Sequence, residues 1–164
     1  MTYPFTQPLG RTPRGVVKLT ENKQYNGTPQ YGYFTVVVND GTGNPSSTVL
    51  NAVANAVDAV RPLGSSFGVH GPVVVAAAVA MTITTAAGYV HATVAAQVQA
   101  AIVAYINSLQ LGQTLYFSRL TQIAFDASPG VASVVSVTLN GGTADLTASA
   151  QQVISTNSGS VVVS

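Results

Sequence analysis

The sequence predicts an α+β fold of two small αβ sandwich units, ordered β-α-β and then β-α-β-α-β-β, with helices packed on one face of small mixed sheets. Three observations predict it. Runs of β-branched residues end at glycine-rich turns, two longer stretches carry apolar residues at helical spacing, and proline or glycine punctuates nearly every junction between them.

Residues 1–32 carry four prolines and four glycines with no sustained period, and read as an irregular lead-in holding one short strand near Val16–Leu19. Tyr25, Tyr31, Tyr33 and Phe34 concentrate aromatic surface around its end. They are candidates either for an interface or for a roof over the first sheet, the roof being the simpler reading.

A first βαβ unit is expected over residues 33–71. Tyr33–Val38 is β-branched and aromatic, hence a strand, and it ends in the turn Asn39-Asp40-Gly41-Thr42-Gly43. Asn44 is the expected N-cap of the following helix, with Pro45 at its first position, where a missing N–H costs nothing. Val49, Leu50, Val53, Val57 and Val60 follow helical spacing, and Arg61-Pro62-Leu63-Gly64 stops the helix before a return strand at Phe67–His70.

A second α+β unit is expected over residues 72–164. Val73–Thr85 is valine-rich and reads as one long strand. Val94, Val98, Ala101, Ile102, Tyr105, Ile106 and Leu109 mark the clearest amphipathic helix, spanning about 91–109. Gly112 ends the connection, Leu115–Phe117 reads as a short strand, and Ser118 is the expected cap of a short helix through Phe125. Pro129-Gly130 breaks that helix before the strand Ala132–Leu139, Asn140-Gly141-Gly142 turns the chain, and weaker strands near Val153-Ile154 and Val161–Val163 finish the unit.

Composition narrows the function. Only 7% of the residues are charged and 47% are apolar, against roughly 25% charged in an average soluble domain. A chain this apolar folds, and a surface this poor in charge favours lasting contacts with other subunits over a solitary life in water. There is no cysteine, so disulfides, thiolate metal sites and thiol nucleophiles are excluded. Four of the six basic residues (Arg11, Arg14, Lys18, Lys23) fall in the first 23 positions, leaving too few to hold nucleic acid by phosphate contacts. The longest apolar run, Val73–Met81, covers about half of the roughly 20 residues of a membrane-spanning helix, and no signal-peptide layout opens the chain.

The supply of acid–base groups is thin: His70, His91, Glu21, Asp40, Asp58, Asp126 and Asp145. No metal-ligand spacing links them. Gly64-Ser65-Ser66-Phe67-Gly68 follows a helix and so lacks the strand that a nucleophile elbow requires, and Asp40-Gly41-Thr42-Gly43 is better explained as a turn than as a phosphate or aspartic-protease loop. No catalytic, cofactor or metal residue is therefore assigned.

Several strings then resemble one family. VVVNDGTGNPS (36–46), AVRPLG (59–64), AAIVAYINSLQLGQTLYFSRL (100–120) and PGVASVVSVTLNGGTADLT (129–147) are similar, in this order, to the C-terminal half of the baseplate J-like proteins, wedge components of contractile phage tails and related injection machines. The residues carrying the resemblance (Asp40, Gly41, Gly43, Arg61, Pro62, Gly64, Gly112, Ser118, Pro129, Gly130, Asn140, Gly141) also have local explanations as helix stops and turns, so they read as scaffold. Family members are usually longer, and Gln151-Gln152 stands where the family tends to have an acidic residue.

The resemblance implies a structural wedge-type subunit of a virion tail baseplate, assembled in the host bacterial cytoplasm. It would contact copies of itself and neighbouring baseplate or tail proteins, with no small-molecule substrate, cofactor, nucleic acid or membrane insertion. From the residues alone two other classes stay open: a secreted or surface binding module using the tyrosines near Tyr31, and a small hydrolase using His70 or His91.

Overall fold

A computed structural model describes residues 16–164. The chain divides into two compact units, with the break between Gly71 and Pro72.

The first unit is a mixed three-stranded sheet in the order β1-β2-β3 with one helix. β1 (Val16–Lys23) and β2 (Pro29–Asn39) form an antiparallel hairpin, and β2 pairs in parallel with β3 (Ser66–His70) after the crossover helix α1 (Ser47–Asp58), which packs on β3. Thr35 to Asn39 of β2 are all buried, as expected of a central strand flanked on both edges.

Two expectations are corrected here. Residues 16–32 are not mostly irregular: β1 runs on to Lys23, and Pro29–Gly32 already belong to β2. Charged Glu21 and Lys23 and the interrupting Pro29 and Gly32 hide the strand pattern, while pairing with an apolar partner strand supplies the ladder. The remainder of the lead-in, residues 1–15, lies outside the described residues. The second correction is the helix cap. Ser46, not Asn44, caps α1, its Oγ accepting a hydrogen bond from the Val49 N–H at 3.4 Å; Pro45 precedes the helix, buried against Gly71.

The second unit carries two sheets. β4 (Val73–Ala76) pairs in parallel with β7 (Gln152–Ser155), while β5 (Val79–Thr85) is the centre of a mixed sheet, antiparallel to β6 (Val131–Leu139) and parallel to β8 (Val161–Val163). The expected single strand Val73–Thr85 is thus two strands in two sheets, parted at Ala77-Ala78. Nothing in the valine and alanine run announces the break, because the groups that hold it, Asn140 and Thr156, come from far along the chain.

β5 alternates cleanly, with Val79, Met81 and Ile83 buried and Ala80, Thr82 and Thr84 exposed. The buried face meets α2 (His91–Ile106), whose Val94, Val98, Ile102 and Ile106 recur every four residues and are 0–1% exposed. α3 (Phe117–Ala127) packs on α2 and β6 and adds Leu120 and Ala124 to the same core. Both helices therefore sit on one face of this sheet, and truncating Ile102 or Leu120 to alanine removes contacts worth about 2–5 kcal/mol.

The expected strand at Leu115–Phe117 reduces to one bridge, Leu115 with Leu146, and Phe117 already begins α3. Ser118 is not the cap but an exposed residue within the first turn. The cap comes from across the chain: the Asp145 carboxylate accepts a hydrogen bond from the Phe117 N–H at 2.8 Å, a position where its negative charge also suits the helix dipole.

Candidate interaction surfaces

The titratable groups are scattered. His70 ends β3, half-buried, with the Tyr25 ring stacked on it at 4.3 Å and 16°; burial pushes its pKa below the ordinary histidine value. His91 opens α2, its Nδ1 2.7 Å from Thr85 Oγ1. Neither is hydrogen-bonded to a carboxylate, and no group of three or more metal-ligating side chains occurs among the described residues. Asp40 accepts hydrogen bonds from Thr42 N–H and Thr42 Oγ1 at 2.9 and 2.6 Å, which hold its carboxyl below the usual range.

The motif residues of the first unit behave as turn chemistry. Asn39 Oδ1 accepts from Gly41 and Gly43 N–H, and both glycines adopt positive φ, 92° and 77°. Arg61 donates through Nε to Asp58 at 2.6 Å and through Nη1 to the Ser65 carbonyl, and lies 5.7 Å from the Phe67 ring centre. It thereby ties the end of α1 to the start of β3 across Pro62 and Gly64, and it forms the one ion pair among the described residues.

The aromatic candidates divide. Tyr25 donates its hydroxyl to the Gly71 carbonyl at 2.9 Å, Tyr33 lies over Gly68, and Phe34 stacks on Phe67 at 5.6 Å, so these three are half-buried by contacts within the first unit. Tyr31 is different, at 94% exposure. Beside it lies a groove of about 340 Å³ lined by Leu19, Glu21, Phe34 and Pro62 among others. Leu63, next in the chain to the groove residue Pro62, is fully exposed at 103%.

In the second unit a further exposed face runs along α3: Tyr116 before the helix, then Arg119, Gln122 and Phe125 at three-residue steps. Neither this face nor the Leu19–Pro62 groove stands out in the sequence. Their members come from different elements, or alternate with core residues on one short helix.

Residues 77–164, more than half of the chain, match the family of the baseplate J-like protein C-terminal domain. The chain belongs to that family. In fold it is also similar to a chain of the anti-feeding prophage baseplate, known from a six-fold symmetrised cryo-EM structure, with a TM-score of 0.54 and 17% sequence identity. That likeness covers 76% of this chain and 29% of the other, so the chain spans less than a third of that relative's length. No curated protein matches it.

Within the baseplate J-like domain the motif residues also hold the fold. Gly112 takes φ 74° and donates its N–H to Gln152 at 2.9 Å, closing the turn after α2 onto β7. Gly130 follows the exposed Pro129 and accepts from Ala86 N–H at 2.8 Å; a Cβ there would meet the Tyr89 ring and Val94 at 2.8 Å. Asn140 and Gly141 turn the chain with φ of 51° and 76°. The similar strings at 36–46 and 59–64 lie outside the matched residues.

Proposed function

We propose that this chain is a structural component of a phage or phage-like contractile tail baseplate, a wedge-type subunit that works through protein–protein contacts and not through catalysis. Membership of residues 77–164 in the baseplate J-like family carries this reading. The surface supports it. Tyr31, Leu63, Val60 and Val90 are each at least 69% exposed, and the chain holds only 11 charged residues, Lys+Arg 6 and Asp+Glu 5, so water is met by apolar and neutral polar atoms. Such surfaces release free energy when covered by a neighbour, at about 25 cal/mol per Å² of apolar area.

In this role the two α-on-β units are rigid blocks, and the tail's mechanical load passes through faces between subunits that can repack between discrete arrangements. The partners are other copies and neighbouring baseplate or tail proteins, and the place of action is the tail baseplate, assembled in the host cytoplasm. Quantitative mass spectrometry of purified particles tests this. The chain is expected in the baseplate-bearing fraction at a small whole-number ratio to the other tail proteins; absence from particles that carry complete tails would overturn it.

A further inference from the structure

Two of the sheets leave a long strand at their margin, and only one of those margins is guarded by charge. β1 is an edge of the first sheet and carries Lys18, Glu21 and Lys23, the kind of residue that keeps an open edge from pairing with another chain. β6 is an edge of the larger sheet of the second unit, paired with β5 on one side and with no strand on the other among the described residues. Its nine residues, VASVVSVTL, hold no charge, no proline and no glycine and are rich in β-branched side chains, the composition of segments that stack strand on strand. The other edges, β3, β4, β7 and β8, are three to five residues long, and short edges offer little ladder to a stranger.

β6 is instead broken twice. Val131 faces Thr85 and Ser133 faces Thr84, so Ala132 has no partner; Val135 faces Thr82 and Thr138 faces Ala80, so Ser136 and Val137 share Met81. Ser136 takes a φ of 51°, in the left-handed region that residues with a side chain seldom adopt. Each extra residue bends the strand and raises its twist. Only Ser133–Val135 runs regularly between the two bulges, and Val135 there stays 48% exposed.

We propose that the bulge at Ser136 is an edge guard. It denies the outer backbone of β6 the straight run of N–H and C=O groups that β6 of a second copy needs in order to pair with it antiparallel and join the two sheets into one. Such a pairing would be isologous, the same strand meeting itself across a two-fold axis, so its product is a closed dimer. The guard acts on the chain alone, before any partner is met, and therefore holds whether or not the chain enters a baseplate.

Deleting Ser136 from the full chain tests it. Val137 then faces Met81 alone, Val135 and Thr138 stay opposite Thr82 and Ala80, and the ladder runs unbroken from Ser133 to Leu139. The deletion variant is expected to keep the circular dichroism of the unsubstituted chain and, in sedimentation velocity, to dimerise about tenfold more tightly or better, because the lengthened edge gains several backbone hydrogen bonds. Adding Val135→Lys to the deletion should abolish that gain by setting a lysine on each of the two facing edges. A folded deletion variant that associates like the unsubstituted chain, or a deletion dimer that Val135→Lys leaves intact, overturns the guard. The unsubstituted chain gives a second reading that does not depend on the deletion folding. Amide hydrogen exchange across Ser133–Val137 is expected to be the same in dilute and concentrated solution; slowing on concentration would mean that the edge pairs past its bulge, and overturns the guard as well.

Discussion

Asn140 holds both backbone polar groups of Ala78: its side-chain Oδ1 accepts from the Ala78 N–H at 2.7 Å, and its own N–H donates to the Ala78 carbonyl at 2.8 Å. Its Nδ2 also reaches the Ala76 carbonyl at 3.3 Å. These bonds satisfy the backbone where β4 leaves one sheet and β5 enters the next, 62 residues earlier in the chain. The residue thus turns the chain after β6 and pins the sheet switch at once.

Replacing Asn140 separates the two roles. Asn140→Gly keeps the positive φ of 51° but loses the side-chain bonds, and is expected to cost about 1–2 kcal/mol. Asn140→Ala also meets the backbone penalty and costs about 1 kcal/mol more. Urea unfolding of both variants checks the order; equal stabilities would show that the clamp contributes nothing.

The helix cap offers a second comparison. Asp145→Ala removes the acceptor at the start of α3 and is expected to cost about 1 kcal/mol, whereas Ser118→Ala stays within about 0.5 kcal/mol, as at ordinary surface positions. The reverse ranking in thermal unfolding would contradict the trans cap.

These two sites show why parts of the fold were legible and parts were not. α2 and β8 follow from local pattern: Val94, Val98, Ile102 and Ile106 keep one face, and Val161–Val163 is a run of β-branched residues that favour a strand. The break at Ala77-Ala78 and the cap of α3 depend on Asn140 and Asp145, whose linear neighbours suggest only a turn. β1 was hidden because its stability lies in pairing with β2. The scaffold motifs were visible as turns, yet the faces available to partners were not, since Leu19 and Pro62, or Tyr116 and Phe125, become neighbours on a surface only after folding.

Close packing at Gly130 gives a third test. Its φ is ordinary, so Gly130→Ala acts through space alone, forcing a methyl group to within 2.8 Å of Tyr89 and Val94, and is expected to cost about 1–3 kcal/mol. Combining it with Tyr89→Ala should recover part of that loss. Additive costs in a double-mutant cycle would count against the contact.

Burial of His70 in the first unit makes stability depend on pH. Burial lowers the His70 pKa in the folded chain, so the unfolded chain binds more protons near pH 6 and stability rises with pH there. The His70 contribution is intact above the ordinary histidine pKa of about 6.5 and is lost as pH falls from there through the folded value. The groups facing His70 are the Tyr25 and Tyr33 rings, with Lys18 in the same cross-strand row through Val37, and none of them offers an anion to stabilise the imidazolium. The difference in melting temperature between the parent and His70→Gln should therefore change between pH 8 and pH 5; a constant difference would refute the coupling.

The central claim is that a charge-poor, aromatic surface is covered by other subunits. Hydroxyl-radical footprinting of the chain, free and within purified baseplates, tests it most directly, because it reads side chains one by one. Tyr31, Leu63, Tyr116 and Phe125 are predicted to react readily in the free chain and to be protected in the assembly. Equal reactivity of all four in both states would contradict the account.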